Sequence, residues 1–246
     1  MKKLFGYVLI GLVLVGLVLP GCTPETTEVV VIATDATWPP FEYVDEQTKE
    51  IVGFDIDLMT AIAEEAGIEI RFENVAWDPL LAGMALCQYD AAISAMTITE
   101  ERAEQWLFSD PYFYAGQIVT VHIDNTTITS KYDLPGKVVG AQIGTTGAIE
   151  VEKIGGATLK TYDDIGLAFQ DLMNKQIDAI IADNPLALGY INENLDKLKT
   201  AGDVFTDENY GIAVCKDNPD LLEKINDGLA AVKAEGLIEQ LVQKWL

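Results

Sequence analysis

Tyr89-Asp90-Ala91-Ala92-Ile93 and Ile177-Asp178-Ala179-Ile180-Ile181 are nearly the same phrase written twice. Each follows a helical segment, Leu80 to Leu86 in the first copy and Leu167 to Asn174 in the second. Each then opens a buried strand. The copies lie too far apart for a short tandem repeat. They mark one α/β unit used twice, and hence two similar lobes.

Reading outward from the first copy, Val29 to Thr34 is a continuous β-branched run, a strand buried on both faces. Asp35 to Phe41 reads as a loop punctuated by two prolines. Gly53 to Met59 opens a helix whose apolar residues recur at three and four through Ile62 and Ala66, and Gly67 caps it. Ile68 to Phe72 is a second strand and Asp90 to Met96 a third. Around the second copy, Lys137 to Gln142 is a strand, Gly144-Thr145-Thr146-Gly147 leads into a helix through Lys153, and Ile177 to Ala182 is a strand. The alternation predicts an α/β fold of mixed, mostly parallel sheets with helices on both faces. Near the end, Asn218-Pro219-Asp220 starts one helix, and Leu237 to Leu246 forms another.

Tyr210 to Val214 is a strand with no partner in the second lobe. If it returns to the first, the chain crosses twice, near Ala115–Ile118 and near Tyr210. Two connecting strands form a hinge that permits closure over a cleft. The lobes are then 29–114 with 212–246, and 115–211. Ligands of open α/β sheets gather at the carboxyl ends of strands, where Asp35, Thr97, Gln142 and Asp183 fall.

Arg102 is one of only two arginines in the 246 residues. Thr99 is a good N-cap for a helix that places Arg102 in its first turn, beside positive partial charge. Backbone N–H groups, threonine hydroxyls and a guanidinium fork there make a socket for a carboxylate. The competing reading pairs Arg102 with Glu101 or Glu104 on a solvated face.

Met1-Lys2-Lys3 and the apolar stretch Leu4–Leu19 read as a secretory leader over 1–21, too short to span a membrane. Removing Lys2 and Lys3 takes the formal charge from −23 to −25. Such acidity excludes nucleic acid and polyanionic cofactors as partners. Beyond Cys22, Cys87 and Cys215 are too few for a disulfide framework. They could pair in an oxidising compartment, but the expectation is two buried thiols.

The ending Leu19-Pro20-Gly21-Cys22 resembles the lipobox of bacterial-type lipoproteins. That implies cleavage before Cys22, lipidation of its sulfur and anchoring at a membrane surface, with 22–28 as tether. Pro20 departs from the usual pattern. The rest of the chain, from about Val29, resembles solute-binding protein family 3, the amino-acid receptors of ABC importers. Ala33–Tyr43 (A-T-D-A-T-W-P-P-F-E-Y) with Gly53–Leu58 (G-F-D-I-D-L) carry the likeness. Ser94–Arg102 (S-A-M-T-I-T-E-E-R) with Phe108–Tyr112, and Asp178–Asp183 (D-A-I-I-A-D), complete it. The resemblance implies the two-lobed type 2 periplasmic-binding-protein fold, a free L-amino acid as ligand, a membrane permease as partner, and a monomer without cofactor or metal.

It also implies residue roles. Arg102 forks onto the ligand α-carboxylate with Thr97, and Thr145 and Thr146 close on the same group. Asp183 and the Ala95 carbonyl take the α-ammonium. Trp38 and Trp77 sandwich the side chain, whose far end Asp35 and Gln142 read. Plain core roles for the tryptophans, and capping roles for Asp35 and Asp183, are the competing readings. Where the glutamine-binding pattern carries lysine, this chain has Gln142, which leaves Asp35 without a cation. A buried unpaired carboxylate is costly, so the expected ligand is arginine, lysine or ornithine, with glutamine or histidine behind.

Two other classes compete with the receptor reading. A dehydratase-like enzyme on the same fold needs acid–base groups, yet the single histidine, His122, stands with only Asp124 near it, and no Ser/His/Asp set or HExxH is present. A membrane-tethered sensor is expected to carry a spanning segment after the domain. The chain ends at Trp245-Leu246, which favours a free-standing receptor.

Overall fold

The computed structural model describes residues 29–246. The leader, the tether and the lipidation of Cys22 lie outside the described residues. The chain opens with β1 (Val30–Thr34), then a small antiparallel sheet of β2 (Thr37–Trp38), β3 (Glu42–Val44) and β4 (Ile51–Val52). The two prolines predict only a loop there; instead β2 pairs with β3 on either side of them.

Helix α1 (Phe54–Ala66) buries Phe54, Leu58, Met59 and Ile62, and Gly67 ends it in the left-handed conformation at φ 62°. Only glycine takes that conformation without a Cβ penalty. The Ile68 N–H turns back to the Ala63 carbonyl at 3.0 Å, so β5 (Ile70–Asn74) starts two residues later than the periodicity suggests. Helix α2 (Trp77–Ala85) starts ahead of the predicted Leu80, with Pro79 in the first turn, where its missing N–H costs no intrahelical bond. Next come β6 (Ala91–Ala92), the short α3 (Glu100–Ala103), β7 (Leu107–Phe108) and β8 (Phe113–Ala115).

The expected strand Asp90–Met96 is cut to β6. Ser94 and Ala95 leave the ladder because side chains hold them: Ser94 Oγ donates to Glu42, and the Ala95 N–H donates to Asp55.

The second half runs β9 (Gln117–His122), β10 (Val138–Gln142), α4 (Thr146–Lys153), β11 (Thr158–Tyr162), α5 (Ile165–Met173), β12 (Ala179–Asp183), α6 (Asn184–Glu193) and β13 (Leu198–Thr200). Then follow β14 (Glu208–Tyr210), β15 (Ala213–Val214), α7 (Pro219–Ala234) and α8 (Leu237–Trp245). The single strand expected over Tyr210–Val214 is split at Gly211, where a Cβ would lie 2.7 Å from the Ile98 side chain.

Two five-stranded sheets result, ordered β5-β1-β6-β15-β7 and β11-β10-β12-β9-β13. In each, the central pairs are parallel: β1 with β5 and β6, and β10 with β11 and β12. The strands that enter each sheet from a crossing, β15 in one and β9 in the other, pair antiparallel. Strands β8 and β14 pair antiparallel with each other, outside both sheets. They are the two crossings between the lobes. The fold is the mixed α/β, two-lobed architecture expected from the repeated phrase.

The expectation of two buried thiols is corrected. Cys87 and Cys215 form a disulfide across 128 residues, with Cα atoms 5.2 Å apart, and Cys87 is exposed. The β6–β15 ladder brings them together: Val214 stands opposite Ala91, and the Cys215 N–H bonds the Asp90 carbonyl. That pairing depends on the chain's return, which spacing alone does not reveal. In the chain-entropy account, closing so long a loop stabilises the fold by about 4–5 kcal/mol.

Candidate functional site

Eleven residues from both lobes line one cleft, with about 300 Å³ between protein atoms. They include all ten expected positions: Asp35, Trp38, Trp77, Ala95, Thr97 and Arg102 from one side, Gln142, Thr145, Thr146 and Asp183 from the other. The eleventh is Ser94. Asp35 follows β1 directly, and Gln142 and Asp183 are the last residues of β10 and β12, so all three stand at the carboxyl ends of parallel strands.

Arg102 decides between its two readings by burial: it is 8% exposed. Thr99 caps α3 by accepting from the Arg102 N–H at 3.1 Å. The guanidinium donates to the Thr97 carbonyl at 2.8 Å and, across the cleft, to the Gly144 carbonyl at 3.1 Å. Its Cζ stands 5.2 Å from the Trp77 ring centroid. Burial pulls its pKa down, while Asp183, Glu208 and Glu101 push it back. The arginine therefore faces the cleft, and its solvated-face reading fails.

Asp183 ends β12 at the N-cap position of α6 but makes no side-chain cap bond. Tyr210 donates to its Oδ2 at 2.7 Å, and Gln117 donates to its Oδ1. Burial, reinforced by Glu208, raises its pKa to about 7, against the pull of Tyr210, Gln117 and Arg102. Asp35 accepts from Thr37 and from Gln142 of the other lobe, both at 2.9 Å. Burial raises its pKa as well. Gln142 also donates to the Asp163 carbonyl at 3.0 Å, which fixes its amide toward Asp35.

Trp38 and Trp77 are buried, and the indole N–H of each lacks a protein partner. A buried indole usually finds one, so two lacking it on one cleft leave polar capacity for something bound there.

Sequence reasoning missed Glu208. It sits buried at the start of β14, on the second crossing. Its Oε2 accepts from Thr97 at 2.7 Å and Thr146 at 2.8 Å, one from each lobe, and its Oε1 accepts from Thr206 at 2.9 Å. A hydroxyl has one proton, and here both are committed to Glu208, so Thr97 and Thr146 present lone pairs rather than donors. Donors for an anion are then Arg102 and the N–H groups of the first turn of α4, which have no partner within the helix. Gln117 was missed too; it donates to Thr146 at 3.1 Å as well as to Asp183. The available signals were a glutamine opening an apolar strand and an acid two residues before Tyr210 at the expected crossing.

Thr145 caps α4, accepting from the Ala148 N–H at 3.3 Å and donating to the Gln142 carbonyl at 2.7 Å. Arg102, Asp183, Thr146 and Glu208 thus form one charged cluster, and Asp35 with Gln142 a second. An anion-binding fork, a cation-binding carboxylate and an aromatic wall suit a small zwitterion.

Comparison with known proteins agrees. Residues 30–246 match the model of the bacterial extracellular solute-binding proteins, family 3. The chain is 37% identical over 225 residues to ABC transporter arginine-binding protein 1 of Escherichia coli K12, covering 89% of this chain and 90% of that protein. It is 32% identical over 218 residues to the L-cystine-binding protein TcyJ of the same strain, covering 88% and 82%. An ancestral arginine-binding protein solved with arginine superposes with a TM-score of 0.84 at 41% identity, covering 89% of this chain and 98% of that one. An ancestral arginine-binding protein solved with glutamine superposes with a TM-score of 0.84 at 42% identity, covering 89% of this chain and 97% of that one. This chain belongs to the family 3 solute-binding proteins. The matched relatives are named as amino-acid-binding proteins, and the chain is not an enzyme.

Proposed function

We propose that this chain is the extracytoplasmic amino-acid-binding component of an ABC importer and that its ligand is a cationic L-amino acid, arginine before lysine or ornithine. Residues 29–114 with 212–246 form the lobe that binds first, through Trp38, Trp77, Thr97 and Arg102. Residues 115–211 close over it with Thr145, Thr146 and Asp183. Closure is favoured only by contacts that exist in the closed form, and the cross-lobe bonds of Gln142 to Asp35 and of Arg102 to Gly144 are of that kind. In this reading the chain acts as a monomer, anchored through lipidated Cys22, and hands its ligand to a membrane permease. Among the described residues, no helix is long and apolar enough to cross a membrane.

The observation that carries the ligand class is the cleft's charge. Asp35, Asp183 and Glu208 are buried carboxylates around one buried guanidinium, Arg102. An arginine brings two cations and one anion, and so offsets part of that excess; a neutral zwitterion does not. Each charge-assisted bond contributes about 1.5–3 kcal/mol and an indole face over a cation about 0.5–2 kcal/mol. The names of relatives support an amino acid as ligand without deciding between arginine, histidine and cystine.

Asp35→Asn tests this choice by calorimetry. The expected result is a loss of about tenfold or more for L-arginine with L-glutamine changed by no more than about threefold. Equal losses for both ligands would remove Asp35 from side-chain selection.

A further inference from the structure

Beneath the cleft lies a second acidic cluster that the binding reading does not use. Glu42 on β3 and Asp55 in the first turn of α1 are both fully buried, and their carboxyl groups stand within hydrogen-bonding reach of each other. Each has one oxygen fully employed. Glu42 Oε1 accepts from Ser94 Oγ at 2.9 Å, and that oxygen in turn accepts the Asp35 N–H at 3.0 Å. Asp55 Oδ2 accepts the Ala95 N–H at 2.7 Å and the Tyr112 hydroxyl at 2.8 Å. The remaining oxygens, Glu42 Oε2 and Asp55 Oδ1, are buried without any donor. Two donorless carboxyl oxygens of neighbouring acids are satisfied together by a single proton between them.

We propose that Glu42 and Asp55 share one proton and act as a positioning pair, holding Ser94 with Asp35 on one side and Ala95 on the other. Ala95 needs such a hold, because it sits at φ 44°, where a residue with a Cβ is strained. The bond from its N–H to Asp55 fixes that conformation and with it the direction of the Ala95 carbonyl. The relevance to binding rests on the amino-acid reading above; the shared proton does not.

Burial raises both acids: Asp55 to about 7, and Glu42 well above the ordinary carboxylate range, with Asp55 itself adding to the rise. The titratable groups acting on the pair are Asp35 from the turn after β1, Tyr112 before β8 and Tyr210 on β14. Burial pushes both tyrosines up, so they stay protonated through mildly alkaline pH. A folded pKa raised above the unfolded one gives stability that is complete at acid pH and lost as pH climbs through the folded value. Above about pH 7, where Asp55 has ionised, the folded chain still holds the Glu42 proton and the unfolded chain does not. The folding equilibrium then weakens about tenfold per pH unit.

The test uses the full chain, with L-arginine as probe. Carbon-13 carboxyl resonances of ligand-free protein should show one of the two acids protonated at mildly alkaline pH. In Glu42→Gln the amide supplies a permanent donor to Asp55 Oδ1 and an acceptor to Ser94. That variant should lose the alkaline slope of stability and keep L-arginine affinity within about threefold. Glu42→Ala, if folded, should lose at least about tenfold. Asp35→Asn, run alongside, should keep the alkaline slope. Two ionised carboxylates, an unchanged slope in Glu42→Gln, or wild-type affinity in Glu42→Ala would overturn the proposal. Correct resonances in a chain that binds no amino acid would support the shared proton and remove the receptor reading instead.

Discussion

Asp183→Ala is expected to weaken L-arginine binding by about 3–5 kcal/mol, a hundred- to several-thousand-fold, because it leaves a buried ammonium without its anion. The fold should hardly notice. Burial holds the Asp183 carboxyl at a pKa of about 7, so its charge is unfavourable where it stands, and removing it offsets the donors orphaned on Tyr210 and Gln117. The ligand-free unfolding midpoint should therefore move by only a few degrees while affinity collapses. The wild-type protein carries a matching pH signature. As pH falls below about 7, Asp183 takes up a proton that an ammonium must displace, and affinity should drop by about tenfold per pH unit. Ligand-free stability has the opposite sign: Asp183's contribution is complete below its unfolded pKa and is lost as pH rises through about 7. Titration calorimetry across that range checks both; an affinity flat from acid to neutral pH would take Asp183 out of the ammonium site.

Arg102→Ala should cost a comparable factor, about 2–5 kcal/mol, by leaving the ligand carboxylate unpaired against Asp183 and Glu208. The informative comparison is L-argininamide, which has no carboxylate. It should lose far less than L-arginine on the same substitution. Arg102→Lys should rescue little, because the fork spans the Thr97 and Gly144 carbonyls and the planar group lies against Trp77, neither of which an ammonium reproduces. Equal losses for acid and amide would mean that Arg102 supports the fold of the cleft and does not touch the carboxylate.

What could be read without the structure was local. The period of apolar residues in α1, the Gly67 stop, the Thr99 cap and the helix start at Asn218-Pro219-Asp220 are each encoded within a turn or two of chain. So is the strand phrase repeated at Asp90 and Asp178, from which the two lobes follow. All ten singled-out residues line one cleft, because ends of parallel strands converge whatever the detailed packing; their roles toward a ligand remain the proposal made here. The misses share a different cause. Glu208, Tyr210 and the Cys87–Cys215 bridge acquire meaning only when the chain returns through β14 and β15, and Gln117 only when β9 pairs with β12. The early exit of the chain after Ala92 depends on Glu42 and Asp55, far away in sequence. Long-range partners of this kind leave no periodicity.

The central claim is that the cleft captures a free cationic L-amino acid. Its most direct test is thermal unfolding of the ligand-stripped protein against each common amino acid in turn, since a ligand that binds only the folded form must raise the midpoint. A large rise with L-arginine, smaller with L-lysine and L-ornithine and least with neutral or acidic amino acids, is the predicted result. Neutral or acidic amino acids ranking above every cationic one would contradict it.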